Sequence, residues 1–323
     1  MTWPGERDID VFAVSLTARF RGVRHREGVL VHGPMGAGEF SPFWDYDVEE
    51  SASWLAAALE AADLGFPEPV RSSVPVNCTV PPVDAAPAAA IVCGSHGCRT
   101  AKVKVAEPGQ RLDDDVARVD AVRGALGPDG SVRVDSNGAW SVSEAVTALR
   151  ELAQFDLEYA EQPVATVEDL AELRRRVDIP IAADESIRRA GDPLRVKRLR
   201  AADIAVLKVQ PLGGVRACLE LAEQLDMPVV VSSALETSVG IAAGVALAAA
   251  LPELPYACGL ATTSMLTADV VTHPLVPVDG TISVRAVVTD SRRLDAVRAD
   301  DDTSRRWRKR FAACESILEN RLG

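Results

Sequence analysis

The sequence lacks several features that mark whole classes of protein. No apolar run reaches the roughly 18–20 residues that a membrane helix needs, so no membrane-spanning segment is expected. The first ten residues, MTWPGERDID, have no basic start followed by an apolar stretch, and no secretory signal is expected. Six cysteines among 323 residues, without regular spacing, favour reduced thiols and a cytoplasmic location over a disulfide framework.

Positive charge is also in short supply. Lys and Arg together number 35 against 47 Asp and Glu, which makes the formal net charge −12 at pH 7. A chain this acidic is a poor candidate for holding nucleic acid by its phosphates. We therefore expect neither a nucleic-acid nor a membrane partner. The sequence leaves the oligomeric state open and is compatible with a monomer.

Lysine is especially scarce. Only five of the 35 basic residues are lysines, and three of those five, Lys102, Lys104 and Lys208, lie in apolar, strand-like segments. Lysine, unlike arginine, readily loses its proton when its surroundings disfavour the charge. Lysines retained at such positions suggest a chemical role.

Short β-branched runs alternate with longer helical stretches through the middle of the chain. The predicted strands are Val74–Val80, Thr100–Val105, Val132–Asp135, Leu157–Glu161, Ile179–Asp184, Ile204–Val209, Val229–Ser232 and, weakly, Tyr256–Gly259. Helices are predicted near 112–126, 141–153, 166–176, 191–200, 213–225 and 238–250. A repeat of roughly 25 residues indicates consecutive βα units and a parallel sheet. Eight strands favour a closed α/β barrel. A doubly wound fold is the alternative, although no G-x-G-x-x-G follows the first strand.

The two flanks differ from this pattern. Residues 1–73 hold an alternating stretch (Val11–Phe20), a Gly-rich loop, an aromatic cluster and an Ala-rich helix (Ser51–Ala62). Residues 281–323 hold one more strand-like run, Ile282–Val288, and a terminal helix. We therefore predict a separate α+β module beside a barrel that spans residues 74–280. The Pro/Ala-rich stretch Pro81–Ala90 is predicted to be a loop.

Ionisable side chains stand at the ends of five consecutive predicted strands. Lys102 and Lys104 are two residues apart and so share one face of a strand. The next ionisable groups follow at spacings of 31, 26, 23 and 24 residues, one βα unit each time. The full set is Lys102, Lys104, Asp135, Glu161, Asp184 and Lys208. Because the carboxyl ends of barrel strands share the rim where active sites lie, we expect these groups to converge there.

Three carboxylates in one pocket repel each other unless a cation lies among them. Ligands that are all oxygen favour Mg²⁺, with Mn²⁺ as the alternative, over zinc. A metal and a neighbouring ammonium group should both depress the pKa of a lysine toward neutrality and make it a usable base. Such a site suits removal of a proton next to the carboxylate of a small-molecule substrate, with the metal stabilising the resulting enediolate.

These motifs resemble the enolase superfamily. The marks are Lys102-Val-Lys104, Asp135-Ser-Asn137, Glu161-Gln-Pro163, Asp184-Glu185-Ser186 and Lys208-Val-Gln-Pro211, and they are similar to the muconate-lactonising-enzyme subgroup, within it the actinobacterial o-succinylbenzoate synthases. The resemblance implies a modified TIM barrel, (β/α)7β, with an α+β capping domain built from residues 1–73 and 281–323. It also implies Mg²⁺ bound by Asp135, Glu161 and Asp184, Lys104 as the base, Lys208 facing it, Lys102 in support, and Asn137 and Glu185 in outer positions.

The substrate is less strongly indicated. The seventh strand, VVVSSALETSVG, has no His, and the eighth lacks an Asp-x-Asp, which disfavours the mandelate-racemase and dipeptide-epimerase branches. Ser232 and Ser233 resemble the segment that meets the succinyl side of the substrate. Arg133 shares a strand face with Asp135, and the backbone at Gly213 is a further candidate for substrate contact. One departure is Gly36-Ala37-Gly38-Glu39, where many relatives have Gly-Trp-Gly-Glu, which leaves open how tightly the cap closes.

The implied activity is a Mg²⁺-dependent syn-dehydration of 2-succinyl-6-hydroxy-2,4-cyclohexadiene-1-carboxylate to o-succinylbenzoate in menaquinone biosynthesis. An N-acylamino acid racemase or a muconate-type cycloisomerase on the same residues is the alternative. A barrel that only binds an acidic metabolite is a third hypothesis, but a pure binder has no need of a lysine base.

Three other motifs have ordinary structural interpretations. Cys93-Gly-Ser-His-Gly-Cys98 resembles half of a zinc site, but no second Cys/His pair is suitably spaced, so we predict a loop before a barrel strand. The basic run at residues 305–310 adjoins Asp300–Asp302 and is predicted to be a solvated amphipathic helix. The aromatic cluster Phe40–Tyr46 is predicted to be a packed loop that can also face the substrate.

Overall fold

A computed structural model describes residues 7–20, 22–189 and 191–322. The first six residues, part of the segment inspected for a secretory signal, lie outside the described residues. The strands are β1 (Ile9–Phe20), β2 (Val23–Gly33), β3 (Gly36–Phe40), β4 (Ser73–Pro75), β5 (Cys78–Val80), β6 (Thr100–Lys104), β7 (Ser131–Asp135), β8 (Leu157–Glu161), β9 (Ile181–Ala183), β10 (Ile204–Leu207), β11 (Val229–Val231) and β12 (Thr281–Ser283). The helices are α1 (Val48–Asp63), α2 (Ala85–Cys93), α3 (Leu112–Leu126), α4 (Val142–Leu152), α5 (Val167–Arg174), α6 (Glu185–Arg188), α7 (Arg195–Arg198), α8 (Val215–Leu225), α9 (Ser238–Ala250), α10 (Ser291–Ala296) and α11 (Asp301–Leu322).

The two ends of the chain together form the cap. Strands β1, β2 and β3 make an antiparallel sheet in that order, α1 packs against β3, and α11 packs against α1. Gly38 permits the α1 contact, since a Cβ at this position would lie 1.9 Å from the carbonyl oxygen of Ala58. Trp54 and Trp307, one from each end of the chain, are buried in the same apolar core. The predicted α+β cap is confirmed.

The barrel is built from seven strands in chain order, β5 to β11, with parallel pairing between neighbours. An eighth short segment closes it, because Cys258 bridges to Val76 and Gly259 bridges to Ser232, both in parallel orientation. The closed barrel is therefore confirmed, including its weakly indicated last strand.

A two-stranded antiparallel sheet joins the segments on either side of the barrel. Strand β4 pairs with β12, with Val74 opposite Ile282. The strand predicted over Val74–Val80 is therefore divided between this small sheet and the barrel. The strand predicted over Ile282–Val288 forms only at its first two residues, within β12. Where one domain ends and the next begins, at residues 73/74 and 280/281, stays a prediction.

The loop prediction for Pro81–Ala90 was wrong, because helix α2 occupies Ala85–Cys93. Pro87 falls in the first turn, where backbone N–H groups have no partner within the helix, so proline is tolerated there. Alanine supplies the rest of the helical preference. The helix predicted over 191–200 is reduced to α7, and Arg200 follows it in the left-handed region, with a φ of +51°. No helix in the described part of the chain is long and apolar enough to cross a membrane.

Candidate active site

The predicted ionisable groups meet at the carboxyl-terminal rim of the barrel. Lys104, Asp135 and Glu161 are the last residues of β6, β7 and β8 and lie side by side in register. Asp184 directly follows β9, and Lys208 directly follows β10. The spacing of one βα unit between groups thus places each on a neighbouring strand of the same rim.

The three lysines of this set, Lys102, Lys104 and Lys208, line a small cavity of about 40 Å³. Its lining comes from the cap and from both sides of the barrel: Phe43, Thr79, Lys102, Lys104, Asn137, Arg188, Lys208, Ser232, Ser233, Ala234, Leu235, Gly259 and Thr262. Phe43 shows that the aromatic loop of the cap both packs in the core and faces the cavity.

The lysines and carboxylates form a tight network. The Lys102 ammonium donates to Glu161 Oε1 at 2.7 Å and lies 3.2 Å from Asp135 Oδ2. The Lys104 ammonium donates to Asp135 Oδ2 at 2.5 Å and to Asn137 Oδ1 at 2.7 Å. Both lysines line the cavity, and Lys102 lies between two carboxylates.

Lys208 is held on the other side of the cavity. Its ammonium donates to Asp184 Oδ2 at 2.6 Å. Burial is the main cause that lowers the pKa of Lys208, and the nearby Arg188 lowers it further against the opposing effect of Asp184. For Lys102, burial alone would lower the pKa, but Glu161 and Asp135 outweigh it and raise the pKa. The neighbouring carboxylates therefore stabilise the charge of Lys102 more strongly than that of Lys208.

The pKa values of the three carboxylates shift in different directions. Burial alone would raise the pKa of Asp135, but Lys104 and Lys102 hold it well below its usual range. The pKa of Asp184 is likewise lowered, since Arg188 and Lys208 outweigh burial. Burial raises the pKa of Glu161 to about 7, and the charges of Asp135 and Asp184 add to the rise against the effect of Lys102. Glu161 is the carboxylate least compensated by its neighbours.

The donor set fits a divalent cation. Within the described ranges no three carboxylate, His or Cys side chains are arranged as a ready ligand set, since lysine ammonium groups engage the carboxylates. Yet Glu161 Oε2 is buried without a hydrogen-bond partner. An unpartnered carboxylate oxygen beside two further carboxylates is chemically suited to a hard cation such as Mg²⁺. Asp135, Glu161 and Asp184 are the residues that would hold it.

Sequence reasoning missed Arg188. Its side chain lines the cavity, and its Nε donates to Asp184 Oδ1 at 2.8 Å while Nη2 donates to Glu185 Oε1 at 2.5 Å. Nη1 donates to the Tyr46 hydroxyl of the cap. The spacing of four residues from Asp184 is the signal that could have identified it, because such residues are neighbours on one helical turn.

The two predicted outer residues, Asn137 and Glu185, contact each other. Asn137 Nδ2 donates to Glu185 Oε1 at 3.1 Å, and Asn137 adopts a left-handed backbone with a φ of +50°. Ser232 and Ser233 also reach the cavity, where the Ser233 hydroxyl lies 2.8 Å from that of Thr262. These placements agree with the candidate substrate-binding positions, and contact with a substrate stays a prediction.

Arg133 does not reach the cavity. It is fully buried two residues before Asp135, where Nε donates to Glu158 at 2.8 Å and Nη1 donates to the Tyr159 hydroxyl at 2.9 Å. Its guanidinium also stacks over the Tyr159 ring at 4.5 Å. Two residues along a strand keep the same face but move the side chain one layer deeper into the barrel. The substrate contact predicted for Arg133 is therefore not supported by its position.

Gly213 is not among the residues that line the cavity either. The amino terminus of the helix that follows Gly213 binds a carboxylate of the cap, because Val215 N–H donates to Glu60 Oε2 at 2.7 Å. Gly214 has a φ of +131°, and a Cβ there would lie 1.8 Å from that same oxygen. Gly214 thus provides room for Glu60, and the prediction of substrate contact at Gly213 is not supported.

Both ordinary interpretations of the remaining motifs agree with the structure. The segment from Cys93 to Cys98 is a turn before β6, and both cysteines are free. The basic run lies on α11, where Trp307 and Arg310 are buried and Arg305 is exposed. Arg310 donates to the carbonyls of Phe43 and Tyr46, so this helix also holds the aromatic loop of the cap.

Comparisons with known proteins match both parts of the chain. Residues 85–288 match the Enolase C-terminal domain-like family, and residues 11–62 match the Enolase N-terminal domain-like family. The chain is 62% identical to o-succinylbenzoate synthase of Thermobifida fusca (strain YX) over 308 residues, covering 95% of this chain and 96% of that protein. It is 54% identical to o-succinylbenzoate synthase of Mycolicibacterium smegmatis (strain ATCC 700084 / mc(2)155) over 311 residues, covering 96% of each.

Solved structures show the same fold. Muconate lactonizing enzyme from Pseudomonas fluorescens, complexed with muconolactone, superposes with a TM-score of 0.80 at 23% identity, over 91% of this chain and 98% of that one. N-succinyl Arg/Lys racemase from Bacillus cereus ATCC 14579 superposes with a TM-score of 0.77 at 20% identity, over 90% and 97%.

Proposed function

Because this chain belongs to the o-succinylbenzoate synthase family, lyases of the enolase superfamily, we propose that it dehydrates 2-succinyl-6-hydroxy-2,4-cyclohexadiene-1-carboxylate to o-succinylbenzoate. The observation that carries the reaction chemistry is the pair of lysines, Lys104 and Lys208, that line one cavity from different strands. Menaquinone biosynthesis is the proposed setting of this step.

Lys104 is proposed as the base. Its ammonium is held by Asp135 and Asn137, so its nitrogen is fixed before the substrate arrives. Once Lys104 has released its ammonium proton to solvent, its neutral amine takes the proton on the carbon next to the ring carboxylate. The electron pair left behind is delocalised into that carboxylate, which becomes an enediolate.

Loss of water then completes the reaction. The electron pair returns to the ring, the carbon–oxygen bond to the hydroxyl breaks, and the leaving group takes the proton from Lys104 on the same face. One C–H bond and one C–O bond break, water leaves, and the ring becomes aromatic. Lys208, on the other side of the cavity, places a positive charge near the developing enediolate.

We propose Mg²⁺, or Mn²⁺, as the cofactor, held by Asp135, Glu161 and Asp184. When bound, a divalent cation supplies charge stabilisation for the substrate carboxylate as it gains negative charge. The unpartnered Glu161 Oε2 supports this assignment. The support from Lys102 is structural, because its ammonium keeps Asp135 and Glu161 oriented toward the cavity.

The second candidate activity is racemisation of an N-acylamino acid. Two lysines that approach a substrate from different sides could remove a proton on one face and return it on the other. A racemase also shares this fold. A muconate-type cycloisomerase would use the same residues.

A dehydration assay separates these activities. The purified protein would be mixed with the succinylated cyclohexadiene substrate and Mg²⁺, with and without a chelator, and loss of diene absorbance would be followed. Fast turnover that the chelator stops is the expected result. Absence of turnover in folded, metal-loaded protein, together with deuterium exchange at the α carbon of N-acylamino acids, would favour the racemase instead.

We further propose a cytoplasmic protein that acts on a small carboxylate without nucleic-acid or membrane partners, and whose site is complete within one chain. The charge of −12 and the six free cysteines support this proposal. Sedimentation analysis would test the monomer.

A further inference from the structure

Arg26, on strand β2 of the cap, is a buried arginine outside the cavity lining, with 3% of its surface exposed. Its Nε donates to the carbonyl of Leu235 at 3.0 Å, and Nη2 donates to that of Ala234 at 3.2 Å. Both of these residues line the cavity from the barrel side. One guanidinium of the cap therefore holds two consecutive carbonyls of a cavity wall.

The same guanidinium also contacts the cap side of the cavity. It lies over the Phe43 ring at 4.2 Å, and Nη2 donates to the Ser41 hydroxyl at 3.1 Å and to the Ser41 carbonyl. Phe43 is the cap residue in the cavity lining. Arg26 thus joins the cap side of the cavity lining, at Phe43, to the barrel side, at Ala234 and Leu235.

The barrel wall at this point is strained. Leu235 has a φ of +68°, in the left-handed region that a residue with a side chain rarely adopts. Such a conformation persists only where surrounding contacts determine it. Those contacts are Arg26 on the Leu235 carbonyl and the Glu236 carboxylate, which accepts from Ala234 N–H at 2.8 Å.

We propose that Arg26 is a positioning residue that sets the width of the substrate cavity, by tying the strained wall at Ala234–Leu235 to the cap wall at Phe43. The planar fork of arginine can donate in several directions and stack on a ring at once, whereas lysine has a single nitrogen. The role deepens the proposed lyase function and rests on it, because the cavity is the one in which Lys104 and Lys208 act.

The test compares Arg26→Lys and Arg26→Ala with Arg123→Lys and Arg123→Ala. Arg123 is a matched control, since it also donates to several carbonyls, including those of Gly130 and Phe155, but at the opposite rim of the barrel. In the Arg26 variants we expect KM for the cyclohexadiene substrate to rise about tenfold or more, with kcat reduced less than about threefold. In the Arg123 variants KM should stay unchanged.

Two further measurements distinguish positioning from a general loss of structure. Guanidinium chloride at millimolar concentration should lower the raised KM of Arg26→Ala and leave that of Arg26→Lys unchanged. Hydrogen–deuterium exchange of residues 232–240 should accelerate in the Arg26 variants and not in the Arg123 variants, a measurement that needs no turnover. If Arg26→Ala does not fold, the KM of Arg26→Lys and its hydrogen–deuterium exchange at residues 232–240 test the positioning role.

The outcomes separate the two proposals. Folded Arg26 variants with wild-type KM and wild-type exchange at residues 232–240 would overturn the positioning role while the lyase stands. A wild-type protein without turnover would count against the lyase, and exchange at residues 232–240 would still show whether Arg26 orders this wall.

Discussion

The Glu60 carboxylate lies at the amino terminus of barrel helix α8, where Val215 N–H donates to Oε2 at 2.7 Å and Arg216 N–H donates to Oε1 at 3.2 Å. The partial positive charge of a helix amino terminus attracts such a group. Glu39, also from the cap, accepts at the start of α9 from Thr237 N–H at 3.0 Å. The cap is therefore fastened to the barrel by two carboxylates, each at the start of a barrel helix.

Gly214→Ala should destabilise the protein by more than about 2 kcal/mol, because its Cβ would overlap the Glu60 carboxylate and the backbone there has a φ of +131°. Urea unfolding would measure the loss. Gly213→Ala is the matched control, since Gly213 also has a positive φ, of +93°, but open space around its Cβ. Equal losses in both variants would mean that the overlap with Glu60 has no effect.

Glu39 should make stability depend on pH. Burial raises its pKa to about 7, and the charge of Glu236 adds to the rise, against an ordinary value of 4.5. Between these values the folded state holds a proton that the unfolded state has released. The free energy of unfolding contributed by Glu39 is therefore fully present below pH 4.5 and is lost as the pH rises through 7, by up to about 3 kcal/mol.

Glu39→Gln tests this dependence, since glutamine keeps the size of the side chain and does not ionise. The difference in melting temperature between wild type and variant should shift in favour of the variant as the pH increases from 5 to 8. Glu172→Gln, on the exposed face of α5, serves as the control and should show no such trend. A constant difference across this range would contradict the raised pKa of Glu39.

Lys104→Ala and Lys208→Ala should each lower kcat by roughly 10²–10⁴ while leaving the fold intact, because each removes a group placed for proton transfer or charge stabilisation. Stopped assays with circular dichroism as the fold check would measure this. Lys309→Ala, which changes an exposed residue on α11, should behave as wild type. Near-normal turnover by Lys104→Ala would refute the assignment of the base.

Mg²⁺ should raise the melting temperature of the wild-type protein by several degrees, since a ligand that binds only the folded state stabilises it. Glu161→Gln should abolish most of this rise, because it converts the buried, unpartnered carboxylate oxygen into part of a neutral amide. Glu172→Gln should retain it. A full rise in the Glu161 variant would exclude Glu161 as a metal ligand.

The ionisable residues at the barrel rim were predictable from the sequence because their positions follow from spacing along the chain. Alternation along β6 places Lys102 and Lys104 on one face, and one βα unit separates each later group, through Asp135 to Lys208. The barrel follows from the same periodicity. The helix at Ala85–Cys93 was missed since its alanines and proline are equally compatible with a loop.

Two features were not predictable in this way: how deep a side chain lies within the barrel, and contacts between residues far apart in the sequence. Arg133 has the right face but lies one layer too deep, which depends on how far each strand extends to the rim. Gly214 leaves space for the side chain of Glu60, which lies 154 residues earlier in the chain. The Arg26 contact to Leu235 spans 209 residues, and no local pattern reports it.

The hydrogen bond from Arg310 on α11 to the carbonyl of Phe43 also determines when the Phe43 loop can become ordered during synthesis. The first strands of the cap leave the ribosome before the barrel, whereas α11 follows after the whole barrel has emerged. Strands β1 to β3 and helix α1 must therefore stay without α11 while some 240 residues are made between α1 and α11, a span consistent with the domain sizes that fold as units. The cavity wall at Phe43 is then among the last parts of the molecule to become ordered, and a nascent chain stalled before α11 should hold a formed barrel without a working active site.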